Sequence, residues 1–338
     1  MGRAAILGTG LIGASLGMAL RKAGWVIAGW DPDDSALAGA AKRGAVDHAC
    51  PTRDAAIDDA DLIVLAGPPS ATIATLGQLH TDALVTDVAG VKEPVVRARP
   101  DGLRLVAGHP MAGREQAGPT AATPSLFRGA AWIVCPDGAD DSDVESVKQV
   151  IDSVGAIPYT MSAAEHDRVV AAISHLPQLI AVSLVNLASS DPGAMELVAG
   201  SFRDLTRVAA SEPGWWPELL AANLGNVSRV IDTMVYQLET ARSEILTDRD
   251  SLASRFESAR VQRRRMASHD VRVGVVLQDR PGEIAAVGRA LEQSAVDVRD
   301  LQLRHAPHGG GGVLTISVRP QEAATLRDSL AVEGFTFE

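Results

Sequence analysis

Gly8-Thr9-Gly10-Leu11-Ile12-Gly13 is the stretch on which the fold turns. The apolar run 3–7 precedes it and reads as a strand, 14–23 follows and suits a helix, and Asp31 closes the next strand-like run, 25–30. A G-x-G-x-x-G taken alone is weak evidence. Between a strand and a helix, with an acidic residue after the second strand, it predicts a dinucleotide-binding unit. The first glycine permits the tight turn, and the second lets the backbone approach a pyrophosphate. The third lets helix and strand pack closely, while the helix N-terminus faces the phosphates. Gly8, Thr9, Gly10, Leu11, Ile12 and Gly13 are therefore the expected cofactor contacts. Asp31 is expected to accept hydrogen bonds from ribose hydroxyls and to repel a 2′-phosphate, favouring NAD over NADP.

Outward from this motif, short apolar runs alternate with helical patterns. Residues 61–66, 83–88, 103–107 and 131–135 read as further strands, with helices at 34–43 and 71–79. Several runs are apolar throughout, as expected where helices cover both faces of a parallel sheet. This rhythm predicts an α/β Rossmann domain with a doubly wound parallel sheet over 1–160. Beyond Ser162 the strand signal fades and apolar residues recur at helical spacing. One helix is expected over 165–188, bent at Pro177, and another over 196–210. A third over 216–246 carries Leu219, Val227, Ile231, Met234 and Leu238 on one face. These make an all-helical substrate and dimerisation domain over 161–267, with helices long enough to predict a homodimer. Residues 255–269, including Arg263-Arg264-Arg265, read as a solvated helix end or linker. In the tail, 268–338, strands at 271–277, 296–304, 313–318 and 335–337 alternate with helices at 282–293 and 321–332, and 309–312 forms a turn. That order is ferredoxin-like.

Composition narrows the function. At 338 residues the chain exceeds one ordinary domain. A net charge of −11 disfavours nucleic acid and anionic membranes as partners, since both need clustered cations. An anionic substrate must then be held by a few arginines. Cys50 and Cys135 lack metal-ligand spacing and read as buried free thiols in a reducing cytoplasm, so no metal is expected. Residues 4–20 are uncharged, but they hold four glycines in a fixed pattern, run into Arg21-Lys22 and lack a small-x-small cleavage site, unlike a signal peptide. No later stretch reads as long enough to span a bilayer. A soluble cytoplasmic protein is expected.

Three further motifs directly follow strands: Gly67-Pro68-Pro69, Asp87-Val88-Ala89-Gly90-Val91-Lys92, and Gly108-His109-Pro110-Met111-Ala112-Gly113. Ligands of open parallel sheets collect at the carboxyl ends of strands, so Pro68 and Pro69 join the expected cofactor contacts. His109 falls where nicotinamide and substrate would meet. Removing a hydride from a carbinol needs a group to take the hydroxyl proton, and neutral imidazole suits that near pH 7.

The run His109-Pro110-Met111-Ala112-Gly113-Arg114-Glu115, with Ser174-His175-Leu176-Pro177-Gln178 and Phe202-Arg203-Asp204-Leu205-Thr206-Arg207, resembles the signatures of prephenate dehydrogenases. Phe127-Arg128-Gly129-Ala130-Ala131-Trp132-Ile133 and Ser211-Glu212-Pro213-Gly214-Trp215-Trp216 match as well, and the likeness runs from Gly8 to about Leu246. It implies NAD-dependent oxidative decarboxylation of prephenate to 4-hydroxyphenylpyruvate in tyrosine synthesis, with arogenate as the alternative substrate. His109 is then the catalytic base and Arg207 the binder of a substrate carboxylate, for which its fixed donor fork is suited. Ser174, His175 and Gln178 fall near the same site, Lys92 is a local cation for the substrate, and Trp216 approaches it across a dimer interface. The tail, with Asp279-Arg280-Pro281-Gly282-Glu283 between strand and helix, resembles an ACT regulatory domain. The resemblance implies an amino-acid pocket at Asp279, Arg280, Pro281 and Gly282, with tyrosine as the feedback ligand.

Two departures stand out: many relatives carry serine where this chain has Gly90, and some carry a second histidine in place of Gln178. Two other readings compete. Dehydrogenases of the β-hydroxyacid class use a lysine from the helical half, but the lysines here are Lys22, Lys42, Lys92 and Lys148, with none in 149–338. A cofactor-dependent sensor with an ACT tail and no turnover is disfavoured by the intact histidine and arginine motifs.

Overall fold

The computed structural model describes residues 2–114, 116–267, 271–305 and 311–337. By contact density the chain divides into two compact units, Met1–Tyr236 and Gln237–Glu338.

The first unit opens with a sheet built from β1 (Arg3–Leu7), β2 (Val26–Trp30), β3 (His48–Ala49), β4 (Leu62–Leu65), β5 (Leu84–Asp87), β6 (Leu105–Pro110), β7 (Ala131–Cys135) and β8 (Ile157–Thr160). Six helices accompany it: α1 (Leu11–Lys22), α2 (Asp34–Lys42), α3 (Arg53–Ile57), α4 (Pro69–Leu76), α5 (Glu93–Arg97) and α6 (Asp141–Ser153). The strand order is β3-β2-β1-β4-β5-β6-β7-β8. Alternate residues of one strand enter different cores: Ile6 and Val64 pack on one face, Leu7, Ile63 and Leu65 on the other. With both faces covered, neither side of the strand is polar, which is why these runs read as continuous apolar stretches. β1 pairs with β2 on one side and β4 on the other, so the chain reverses direction across the sheet at β1. The crevice at that switch point, beyond the strands' carboxyl ends, is where such sheets bind nucleotides.

The sheet is not wholly parallel. β7 runs antiparallel to β6, whereas every pair from β3 to β6 is parallel, as is β7 with β8. Among its described residues, the connection between β6 and β7 holds only a 3-10 turn, Pro119–Ala121. No crossover helix returns the chain to the other edge, so the next strand must run back. β3 and β8 escaped the sequence reading because they are edge strands, one of two residues and the other largely exposed.

The helical region departs from the expected long rods. The helix expected at 165–188 is α7 (Ala163–Val170), a π-helical turn Ala171–His175, and α8 (Leu176–Ser189). Pro177 supplies no N–H for the carbonyl four residues earlier, and the widened turn lies just before it. The Ser162 hydroxyl accepts a bond from the Glu165 N–H and caps α7. The run Ala163–Ser189 spans 27 residues and holds an 18-residue window of mean hydropathy 1.6, long and apolar enough by those measures to cross a membrane, which corrects the expectation that no stretch reaches that length. The helix expected at 196–210 is instead α9 (Pro192–Glu196), α10 (Gly200–Thr206) and a 3-10 turn, Arg207–Ala210. That at 216–246 breaks at Asn223 into α11 (Trp216–Ala222) and α12 (Leu224–Thr247).

In the second unit, the charged segment read as a solvated helix end or linker is, as far as residue 267, the end of a helix, α13 (Arg249–Ala267), where Arg255 pairs with Glu244 at 2.9 Å; residues 268 and 269 lie outside the described residues. Then follow β9 (Val271–Leu277), α14 (Glu283–Ser294), β10 (Asp300–His305), β11 (Gly312–Val318), α15 (Ala323–Val332) and β12 (Thr336–Phe337). They form a four-stranded antiparallel sheet ordered β10-β11-β9-β12. Val273, Val275, Leu314 and Ile316 meet Val287, Ala290, Leu326 and Leu330 in its core. Residues 309 and 310 of the turn expected at 309–312 lie outside the described residues, and Gly312 already opens β11.

Candidate active site

The glycine loop fits a dinucleotide. Gly8 has φ +104°, and a Cβ there would lie 2.6 Å from the Ala66 carbonyl oxygen. A Cβ on Gly13 would sit 1.9 Å from the Gly8 oxygen, so these two glycines are required by the fold itself. Gly10 differs: nothing lies within 4 Å of where its Cβ would be, and no side chain caps α1. A helix N-terminus opening onto free space beside a bare backbone is the cradle a pyrophosphate requires. Leu11 and Ile12 are half-buried in the first turn of α1.

Thr9 plays another part than expected. It is fully buried, and its N–H and hydroxyl both donate to Asp31 Oδ2, at 2.6 and 3.1 Å. Its donors are thus spent on fixing Asp31, which also accepts the Asp33 N–H at 3.0 Å. Asp31 stays half-buried at the end of β2, beside the glycine loop. Pro68 is the exposed N-cap of α4 and Pro69 its buried first residue. The next residue, Ser70, donates its N–H to Glu218 of α11 at 2.5 Å.

His109 is the penultimate residue of β6, in register with Ile133, rather than after the strand. Behind it stands a cluster that sequence reading missed. His109 Nδ1 is 2.8 Å from His166 Nε2, and His166 Nδ1 is 2.8 Å from Asp167 Oδ1. Asp167 also accepts the N–H groups of Lys92 (2.7 Å) and Glu93 (2.9 Å), capping α5 from a distant helix. Asn223, at the break between α11 and α12, donates to the Asp167 carbonyl at 2.8 Å, and its amide lies 3.3 Å from His175 Nδ1. A helix break thus delivers a side chain that ties three elements together. The signal for His166 and Asp167 was a His-Asp pair on the helix that opens the substrate half, but one residue pair carries little weight without knowing which way the helix faces.

Burial sets the charge of these imidazoles. His109 is held well below the ordinary histidine value, first by burial and then by the nearby His166, Lys92 and His175. His175 is pushed down to about 4 by burial, with Asp167 partly offsetting this. Both rings are therefore neutral near pH 7, and a neutral His109 is able to accept a proton.

The remaining candidates divide. Lys92 is not a cation offered to substrate. It is fully buried, its ammonium paired with Asp87 and donating to the Gly108 carbonyl, because an unpaired buried charge would cost too much. Asp87 in turn accepts the Gly108 N–H at 3.2 Å, so the pair clamps the residue preceding His109. Gln178 is buried on α8 and Ser174 half-buried in the π turn. Trp216 packs edge-on to His175, with ring centroids 6.4 Å apart, and stacks on Trp215; its indole nitrogen is buried without a partner. Arg207 is exposed at the start of the turn Arg207–Ala210, which packs against α8. Gly90 faces Leu219 of α11, whose Cδ1 would lie 2.9 Å from an added Cβ.

In the second unit, Asp279, Arg280 and Gly282 line a cavity of about 320 Å³ with Ile284 and Leu303, while Pro281 is exposed outside that lining. Another cavity, of about 590 Å³, opens beside the amino ends of β4 and β5, the wrong edge of the sheet for a nucleotide. Among the described residues no three His, Cys, Asp or Glu side chains gather as metal ligands, and Cys50 and Cys135 are buried free thiols.

A Rossmann sheet with an open glycine loop, a neutral histidine at a strand's carboxyl end and a helical partner domain define a dinucleotide-dependent dehydrogenase of the two-domain class. Residues 16–159 match the family model described as the prephenate dehydrogenase nucleotide-binding domain, and 162–258 that of the prephenate dehydrogenase dimerization domain. The chain is 32% identical to a probable prephenate dehydrogenase of Streptomyces niveus, over 98% of each chain. It is 29% identical to the prephenate dehydrogenase of Bacillus subtilis, over 94% of this chain and 92% of that one. Among solved structures, the Aquifex aeolicus prephenate dehydrogenase in complex with hydroxyphenyl propionate and NAD+ superposes with TM-score 0.73 at 28% identity, covering 79% of this chain and 98% of that one. The chain belongs to the prephenate dehydrogenase family.

Proposed function

We propose that this chain is an NAD-dependent prephenate dehydrogenase, carrying out the oxidative decarboxylation of prephenate to 4-hydroxyphenylpyruvate in tyrosine synthesis. The observation that carries the reading is His109: a neutral imidazole at the carboxyl end of β6, with Nδ1 engaged by His166 and Nε2 left to receive a proton. The open cradle at Gly10 and the position of Asp31 support NAD as the cofactor, with NADP disfavoured by the carboxylate.

Bound NAD would supply the hydride acceptor. His109 Nε2 takes the proton of the substrate's C4 hydroxyl as the C4 hydride leaves, so the O–H pair becomes the new C=O bond. The bond to the ring carboxylate then breaks and its electron pair enters the ring. Carbon dioxide departs, and the ring oxygen regains a proton as the phenol. Aromatisation supplies the driving force, and the protein orients the parts and balances the dianion. Arg207 binds a substrate carboxylate, and Ser174, His175, Gln178 and Trp216 line the pocket. The unpartnered indole N–H of Trp216 is consistent with a polar ligand there. Arogenate remains the alternative substrate, because Gln178 stands where some relatives have a second histidine.

The chain is read as three domains, 1–160 for NAD, 161–267 for substrate and dimerisation, and 268–338 as a ferredoxin-like ACT domain. The β-α-β-β-α-β order with sheet order β10-β11-β9-β12 supports the last. The cavity beside Asp279 and Arg280 has charges of both signs for an amino acid's ends and Ile284 and Leu303 for its side chain, which supports tyrosine as a feedback ligand. A soluble cytoplasmic homodimer fits the family's dimerization model.

Steady-state assays with prephenate and with arogenate, each with NAD and NADP, test the assignment. His109→Ala is expected to lower kcat by roughly 10²–10⁴-fold with NAD affinity unchanged, the range for loss of a general base. Near-normal turnover of that variant would overturn the assignment.

A further inference from the structure

We infer that His166 and Asp167 are positioning residues that fix the tautomer of His109 and carry the charge it gains in turnover. This rests on the reading of His109 as the base, and it follows from counting hydrogens through the chain of contacts. The Asp167 carboxylate receives the Lys92 N–H on Oδ1 and the Glu93 N–H on Oδ2, so both oxygens are occupied as acceptors by donors that cannot be reversed. His166 Nδ1, at 2.8 Å from Oδ1, must then be the donor in that contact. The relay takes His166 as the uncharged ring: with its one proton on Nδ1, it presents a bare Nε2. His109 Nδ1 faces that atom at 2.8 Å and must carry the hydrogen between them. The lone pair of His109 is thereby left on Nε2, the atom that meets the substrate hydroxyl.

The surroundings make such a relay necessary. Lys92, His166 and His175 all stand against a positive charge on His109, and its partial burial weakens the hydration such a charge would need. When Nε2 takes the substrate proton, the new cation needs an anion in contact. Asp87 is committed to Lys92. Asp167 reaches His109 through His166, and as the Nδ1 proton of His109 moves toward His166 Nε2 the charge spreads to a ring whose other nitrogen is held by the carboxylate. No atom is added or lost along the relay; one proton enters at His109 Nε2 and the same number leaves when the ring phenol is reprotonated. His166 and Asp167 are 0% and 1% exposed, so bulk water cannot substitute for either.

Asp167→Asn in the full chain is the direct test. An asparagine offers one acceptor oxygen for two backbone donors, so it leaves either the Lys92 or the Glu93 N–H without an acceptor; where its NH2 takes the Oδ1 position it donates to His166 Nδ1, reverses the relay and puts the proton on His109 Nε2. We expect kcat to fall about 10²–10⁴-fold, the scale seen where a catalytic histidine is held in the wrong tautomer. NAD affinity should be unchanged. Histidine-selective nitrogen NMR on labelled protein should show the His109 proton on Nδ1 in the wild type and on Nε2 in the variant. His166→Gln cuts the relay while leaving the Asp167 cap on α5 in place, and the same loss of kcat is expected should the asparagine variant not fold. A wild-type spectrum with the proton on Nε2, or loss of turnover with the tautomer unchanged, would overturn the relay. If both variants turn over normally while His109→Ala is dead, the relay falls and the base stands. If His109→Ala is also active, the base assignment fails first and takes the relay with it.

Discussion

At the scale of single residues, the site is governed by what burial does to imidazole. His175 is 1% exposed and titrates near 4, against an ordinary value of 6.5. Above 6.5 the folded and unfolded chains both keep this ring neutral, and it contributes nothing to pH dependence. As pH falls below 6.5 the unfolded chain takes a proton that the folded one refuses, so stability drops until about 4, where the folded ring also protonates and the loss levels off. His109, lowered by burial and its cationic neighbours, acts in the same direction. For His175 the loss between about pH 7 and about pH 5 is roughly 1–3 kcal/mol. Urea unfolding at both values should show His175→Asn with a flatter dependence than the wild type by that amount; equal slopes would refute the assignment.

At the scale of elements, the site is made where regular structure is interrupted. The π turn before Pro177 holds Ser174 and His175, the break at Asn223 supplies the amide that links Asp167 to His175, and α5 begins under a carboxylate from α7. The loop after β5 meets α11 at Gly90, where Leu219 occupies the space a side chain would need. Gly90→Ser should therefore cost about 1–3 kcal/mol of stability as an overpacked contact. Adding Leu219→Ala removes the clash, so the double variant should be more stable than the sum of its single losses predicts, measured as a double-mutant cycle by chemical unfolding. Strict additivity would show that the two do not share the space.

At the scale of the whole molecule, apolar surface points to a second copy. Leu197 is 83% exposed and Leu246 80%, with Leu205, Leu224 and Leu238 each more than half exposed. Scattered exposed leucines are ordinary, but these lie in or beside the region matched by the dimerization model. Sedimentation at micromolar concentration should give twice the chain mass, and a monomer there would count against the proposal. Calorimetric titration of the full chain with tyrosine should release heat from the cavity at Asp279 and Arg280, while Arg280→Ala should abolish it. No heat from tyrosine leaves the C-terminal unit a structural appendage.

Much of this was legible in the residues themselves. A glycine whose Cβ would strike a carbonyl must be glycine in any context, so Gly8-Thr9-Gly10-Leu11-Ile12-Gly13 announced the Rossmann crevice, and apolar runs announced strands covered on both faces. His109 was placed by its position after a strand-like run. The linear order could not give the partners of that histidine. His166 and Asp167 come from a helix distant in sequence, and Lys92 read as a cation for the substrate because nothing in the residue order reveals Asp87 folded against its ammonium. Periodicity reports which face of an element is apolar, and it is blind to which polar groups a fold brings together across elements. Contacts between distant segments, and the burial that sets their charge, were decided only by tertiary structure.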